Sequence, residues 1–137
     1  MITSHFDLSP LKHALHRLIE GHDRYLTNIE DSQIRDGLIQ RYKFSYDISH
    51  KILKKYMEMS SANPEIYDSM QFSELIRSAN EMSMLKSDWS YWKIFREMRS
   101  KSSLAIDEKI ALEVVSIVAD FIDEATFLLS SLKLKNA

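Results

Sequence analysis

Cysteine is absent from the 137 residues, and glycine and proline are held to two each. Without cysteine there can be no disulfide framework, no thiolate metal site and no cysteine nucleophile. A reducing, cytoplasmic setting is the expectation that fits. So few chain breakers cannot serve the many tight turns of an all-β protein, so long helices are favoured. Neither of the common glycine-rich nucleotide devices, Gly-x-Gly-x-x-Gly or Gly-x-x-x-x-Gly-Lys, is present, and there is no Gly-x-Ser-x-Gly elbow to carry a nucleophilic serine. No apolar run is long enough for a bilayer. Even the greasiest stretch, from Ile110 to Leu132, is interrupted by Glu113, Asp120, Asp123 and Glu124. The opening MITSHFDLSP lacks a basic region followed by an apolar one, so no secretory signal is expected. A formal net charge of −2 exerts no global pull on nucleic acid, and an anionic ligand would need a local patch.

What is present is 45% hydrophobic residues arranged at helical period. Ser9-Pro10 predicts a helix start, with Leu11, Leu15, Leu18, Ile19, Tyr25 and Leu26 near one stripe and a polar turn at Asn28 to Asp31. A second helix is expected from about Ile34 to Glu58. Leu38, Ile39, Tyr42, Tyr46, Leu53 and Tyr56 make its main apolar face, and Phe44, Ile48 and Ile52 make a second line. MSSANPEIYDS then breaks the pattern at Asn63-Pro64. Ser69 is expected to cap a third helix carrying Phe72, Leu75, Ile76 and Ala79, and Ser87 a fourth with Trp89, Trp92, Phe95 and Met98 inward. RSKSSLAIDE reads as a loop, after which Asp107 caps a long fifth helix to about Leu134. Short connections between long helices imply antiparallel neighbours. The expected architecture is therefore all-α: one domain over residues 1–137, an up-and-down bundle of four to five helices.

Chemistry-bearing groups are sparse. His13, His16 and Glu20 share a helix face but offer only one helix's ligands to a metal, and a solvated polar face is the commoner outcome. Asp47 and His50 form a carboxylate-x-x-His pair, yet no Glu-x-x-His occurs, as a di-iron bundle would need. No metal or cofactor is expected. Lys93, Arg96 and Arg99, three apart on the fourth helix, make a basic strip able to hold the phosphate of a nucleotide or RNA. The neighbouring Trp89 and Trp92 could stack on bases, though at this spacing they more often anchor a core.

The segment RDGLIQRYKFSYDISHKILKKYM, Arg35 to Met57, resembles the signature of the nucleotidyltransferase substrate-binding family of HEPN-like helical proteins, Arg-Asp-x-x-Ile-Gln-Arg-Phe-Glu-Phe-Thr-Tyr-Glu-Leu-Ala-Trp-Lys. Arg35, Asp36, Ile39, Gln40, Arg41, Phe44, Tyr46 and Lys51 match it. Tyr42 stands for Phe, Asp47 for Glu, Lys43 for Glu and His50 for Trp. From Trp92 to Ala111 the chain is similar to the family's Trp-x-x-Met…Arg-Asn-x-x-x-His-x-Tyr-Asp…Ala block. Trp92, Arg99, Asp107 and Ala111 are in register, but Ser100, Leu104 and Ile106 replace its Asn, His and Tyr. With FSELIRSA, the resemblance runs from about Arg35 onward.

The resemblance implies a homodimeric helical bundle whose partner is a small, separately encoded nucleotidyltransferase, often in a toxin–antitoxin arrangement. In the family's ribonuclease branch, the motif Arg and His cut RNA across the dimer, and the Tyr accepts a nucleotidyl group. Leu104 can transfer no proton and Ile106 has no hydroxyl to modify. The expectation is a non-catalytic binding subunit, with Phe44, Ile48 and Val115 as interface candidates on faces too wide for a lone bundle to cover. The competing expectation is a ribonuclease with an altered site built from Arg99, Ser100 and Asp47. Arg99 could also do no more than make a local ion pair.

Overall fold

The computed structural model describes residues 7–136, with side chains to residue 135; His5 lies outside that range. Among the described residues there are six α-helices and no strand: α1 Ser9–Leu26, α2 Ser32–Met59, α3 Phe72–Glu81, α4 Trp89–Lys101, α5 Glu108–Val115 and α6 Val118–Asn136. Single 3₁₀ turns, Pro64–Tyr67 and Ser102–Leu104, follow α2 and α4. The all-α bundle expected from the apolar periodicity is therefore observed. The 28-residue α2 is its spine, packing against each of the other five helices.

Where a side chain caps α2, α4 and α5 it is an aspartate rather than a serine. Asp31 accepts hydrogen bonds from the Gln33 and Ile34 amides, and Asp107 from those of Lys109 and Ile110, as expected for the latter. Each satisfies donors that a first turn leaves open. The caps expected at Ser9, Ser69 and Ser87 are displaced. Ser9 is already helical and its amide donates to Asp7; α3 begins at Phe72 with no side-chain cap; α4 is capped by Asp88. A carboxylate is the stronger acceptor at a positive helix end, and it wins over a neighbouring hydroxyl.

Two further expectations change. Leu26 and Ile19 lie near the α1 stripe by spacing but are exposed, because each lies one position, about 100° round the helix, from the buried Tyr25 and Leu18. The single long fifth helix is in fact two, parted at Ser116-Ile117. There the Ile117 amide reaches the Val114 carbonyl, a tightened i→i−3 bond, and the Ser116 hydroxyl donates to the Glu113 carbonyl at 2.6 Å. A serine that bonds back to its own helix competes with the regular ladder. The segment RSKSSLAIDE, expected as a loop, instead continues α4 to Lys101 before turning.

The core is an aromatic cluster joining α2, α3, α4 and α6. Tyr42 meets Phe121 edge to face at 5.2 Å, Phe95 meets Phe121 at 5.2 Å, and Trp92 meets Phe95 at 5.5 Å. Such contacts add to the burial of large rings. Tyr42 also donates its hydroxyl to the Phe95 carbonyl at 2.6 Å, fixing α2 against α4. On the far side of the bundle, Glu124 of α6 is buried and accepts from the Lys86 and Ser87 amides, holding the α3–α4 connection. The α3 end itself turns on Ser83 at φ 60°. The Met84 amide bonds Ala79 and the Ser83 amide bonds Asn80, a Schellman pattern with serine where glycine usually stands.

Burial pushes the Tyr42 and Tyr46 hydroxyls well above their ordinary ionisation range. Groups whose pKa is raised by folding contribute stability that is intact below their unfolded value and lost as pH climbs past it. Alkaline destabilisation beginning near pH ~10, with a slope of up to about 1.4 kcal/mol per pH unit for each tyrosine, is expected in urea unfolding series. Replacing Tyr42 and Tyr46 by Phe should flatten that slope, and an unchanged slope would contradict this assignment.

Candidate functional site

Helices α2 and α4 present charged residues to each other at matching one-turn spacing: Asp47 and His50 on the first, Arg96 and Arg99 on the second. Arg99 Nε donates to Asp47 Oδ1 at 2.8 Å and Nη2 to Oδ2 at 2.9 Å, a two-pronged fork. The Asp47 hydrogen bond, and then its charge, raise the Arg99 pKa further, against the opposing effect of burial. The side chains remain 30% and 52% exposed. A partly solvated pair of this kind is worth on the order of 1 kcal/mol.

Arg96 behaves differently. Its guanidinium carbon sits 5.1 Å from the Phe72 ring centroid, within cation–π range, and among the described residues the side chain pairs with no carboxylate. His50 packs against the same Phe72 at 4.4 Å and lies 6.3 Å from Tyr46. Burial first, then the Arg96 and Lys54 charges, lower the His50 pKa, with Asp47 opposing. Lys93 is exposed one turn before Arg96.

The stretch after Arg99 is occupied with structural work. Ser102 donates to the Arg99 carbonyl and Ser103 to that of Ser100. Lys101 pairs with Glu113 at 2.8 Å, and Asp107 is the α5 cap. Leu104 and Ile106, at the positions of the resemblance's His and Tyr, are 56% and 101% exposed. This turn therefore offers Arg99 no proton-transfer group.

Other residues singled out by sequence divide cleanly. Trp92 is fully buried and serves the core rather than a base, while Trp89 is half-buried, 5.8 Å from Phe72. Arg35 is nearly buried and its Nη1 lies 3.5 Å from Glu108, tying the start of α2 to that of α5. Asp36 and Ser100 are exposed. Phe44, 54% exposed, lines a groove of about 240 Å³ with Ala14, Arg17, Gly37, Gln40 and Arg41. Ile48 and Lys51 line another of about 270 Å³ with Ile52 and Lys55. Of the second apolar line of α2, Phe44 is exposed, while Ile48 and Ile52 are half-buried against the core at the edge of a groove. Val115 is half-buried against the core in the same way. His13, His16 and Glu20 are exposed, and no group of three or more His, Cys, Asp or Glu converges among the described residues.

The family model for nucleotidyltransferase substrate-binding-like proteins matches residues 6–134, nearly the whole chain and including α1. This chain belongs to that family. Two matches come from Haemophilus influenzae. A curated relative, named a probable ribonuclease HepT, is 28% identical over 144 residues, covering 99% of this chain and 98% of the relative. A solved structure, that of HI0074, is described as the fold of a substrate-binding domain of a nucleotidyltransferase. It superposes with a TM-score of 0.84 at 27% identity, covering 93% of this chain and 99% of that one. The fold and the nucleotidyltransferase-linked family are thereby established.

His50 and Phe72 are the site residues that sequence reading passed over. The available signal was the equal spacing of Asp47-x-x-His50 and Arg96-x-x-Arg99 on helices joined by the same aromatic core. A double-mutant cycle on Asp47→Ala and Arg99→Ala should return a coupling of about 0.5–1 kcal/mol that shrinks with added salt. A salt-independent coupling, or none, would show that the fork is not an ordinary surface pair.

Proposed function

We propose that this chain is a non-catalytic binding subunit that pairs with a second copy, docks a small nucleotidyltransferase and presents a phosphate-bearing substrate to it. The observation that carries the reading is the state of Arg99. Both prongs of its guanidinium fork are taken up by Asp47, and the turn that follows exposes Leu104 and Ile106 where proton transfer or nucleotidylation would require His and Tyr. An arginine so held is occupied by its carboxylate and moves no proton, which leaves an anion to the basic residues beside it. Exposed apolar side chains at that turn favour contact with another protein surface. The family's link to nucleotidyltransferases supports the choice of partner. The exposed Phe44 and the groove edged by Ile48 support a self-association face, and cytoplasmic residence is part of the same reading.

Light scattering at micromolar concentration should return a dimer, and Phe44→Asp should weaken it at least about tenfold by placing a charge in the apolar contact. Co-expression with a small nucleotidyltransferase, sought in the neighbouring reading frame, should yield a stable complex. A monomer removes the dimer, and failure of the pair to co-elute removes the docking role.

The ribonuclease reading is favoured by one relative's name and by the meeting of Arg99 with Asp47. It requires that the purified protein cut RNA and that Arg99→Ala abolish cutting. Intact total RNA after incubation with the wild type excludes it.

A further inference from the structure

The charge between α2 and α4 is unevenly matched. Asp47 is the carboxylate that faces this cluster, and both of its oxygens are committed to Arg99. Arg96 and Lys54 therefore confront His50 without a counter-ion of their own. These groups are not loosely arrayed. Phe72, itself buried, supports Arg96 at 5.1 Å and His50 at 4.4 Å, so the guanidinium and imidazole are fixed by packing on one aromatic ring. A guanidinium held on a ring keeps donors free for an incoming oxyanion and loses little rotamer freedom when it binds one.

We infer that Arg96 and His50, mounted on Phe72 and backed by Lys54, form a binding site for the phosphate group of a nucleotide or of an RNA end. The inference rests on the substrate-presenting part of the function proposed above and names the chemistry of that substrate. It also assigns His50 a role: a bound phosphate favours its protonated form, which adds a second charged donor. The groups that face it are Arg96 on α4, Lys54 and Asp47 on α2, and the Phe72 and Tyr46 rings. Burial first, and then two cations against one committed carboxylate, disfavour its protonation, and a bound anion offsets the cations.

The test uses the isolated full chain, so its outcome does not depend on whether a nucleotidyltransferase is ever captured. Sulfate, a dianion throughout the neutral range, serves as a probe whose own charge does not change with pH. Titration followed by the imidazole NMR signals of His50 should move those signals and raise the His50 titration midpoint. Binding should weaken as pH rises, and His50→Gln should flatten that dependence. Arg96→Gln should weaken binding about tenfold, the loss of one charge-assisted contact, with Arg96→Lys recovering part of it and unchanged circular dichroism in both. ADP and a short 5′-phosphorylated RNA are then compared. Tighter binding of either than of sulfate supports the site and names the phosphate's source. No movement of the His50 signals, equal binding by Arg96→Gln, or no advantage of both nucleotide ligands over sulfate overturns the proposal.

Discussion

The meeting of α2 and α4 across a shared aromatic core is the contact on which the rest depends. Tyr42, Trp92, Phe95 and Phe121 interlock edge to face, and the Tyr42 hydroxyl ties one backbone to the other. Rings packed this way tolerate little sliding, because an edge displaced from a face gives up both contact and electrostatic complementarity. With Tyr42 and Tyr46 fixed inward, helical geometry leaves Asp47 and His50 on the adjoining face of α2. With Trp92 and Phe95 fixed inward, Arg96 and Arg99 fall on the adjoining face of α4. The charged cluster is a consequence of the apolar one.

That dependence explains what could be read from residues alone. The two apolar faces of α2 were visible as Tyr42/Tyr46/Leu53 and Phe44/Ile48/Ile52, and the structure buries the first while leaving the second facing grooves. Asp107 was legible as a cap because it stands directly before a long apolar period. The other caps were not, since Ser9, Ser69 and Ser87 each lie within three residues of Asp7, Gln71 or Asp88, the residue that actually starts or stabilises the helix. Local pattern does not rank a hydroxyl against a nearby carboxylate. The break at Ser116 was hidden for a related reason: Val114 and Val118 keep helical spacing across it, so the period continues while the backbone tightens.

The site was half legible. Arg99 and Asp47 were each named as motif positions, and their fork is a single contact between residues 52 apart in sequence that motif spacing alone does not specify. In the sequence His50 stands out as the partner of Asp47 in a carboxylate-x-x-His pair and as a departure from the family's Trp, not as a neighbour of Phe72. Its meaning depends on Phe72, which belongs to a helix that resembles the family through apolar residues alone. A contact of three helices has no signature along any one of them.

The contrast between the two arginines bears on how such a subunit works. Arg99 and Arg96 lie one turn apart on the same helix, yet the first is neutralised by Asp47 and the second is left on an aromatic ring beside His50. An ion pair in place already resists an incoming phosphate, because binding must first displace a carboxylate at similar cost. Arg96 faces no such competition. Leu104 and Ile106 leave the turn after Arg99 without the side chains of a His- and Tyr-bearing site. On the reading proposed above it is Arg96, one helical turn earlier on the face that Phe72 holds, that meets an anion.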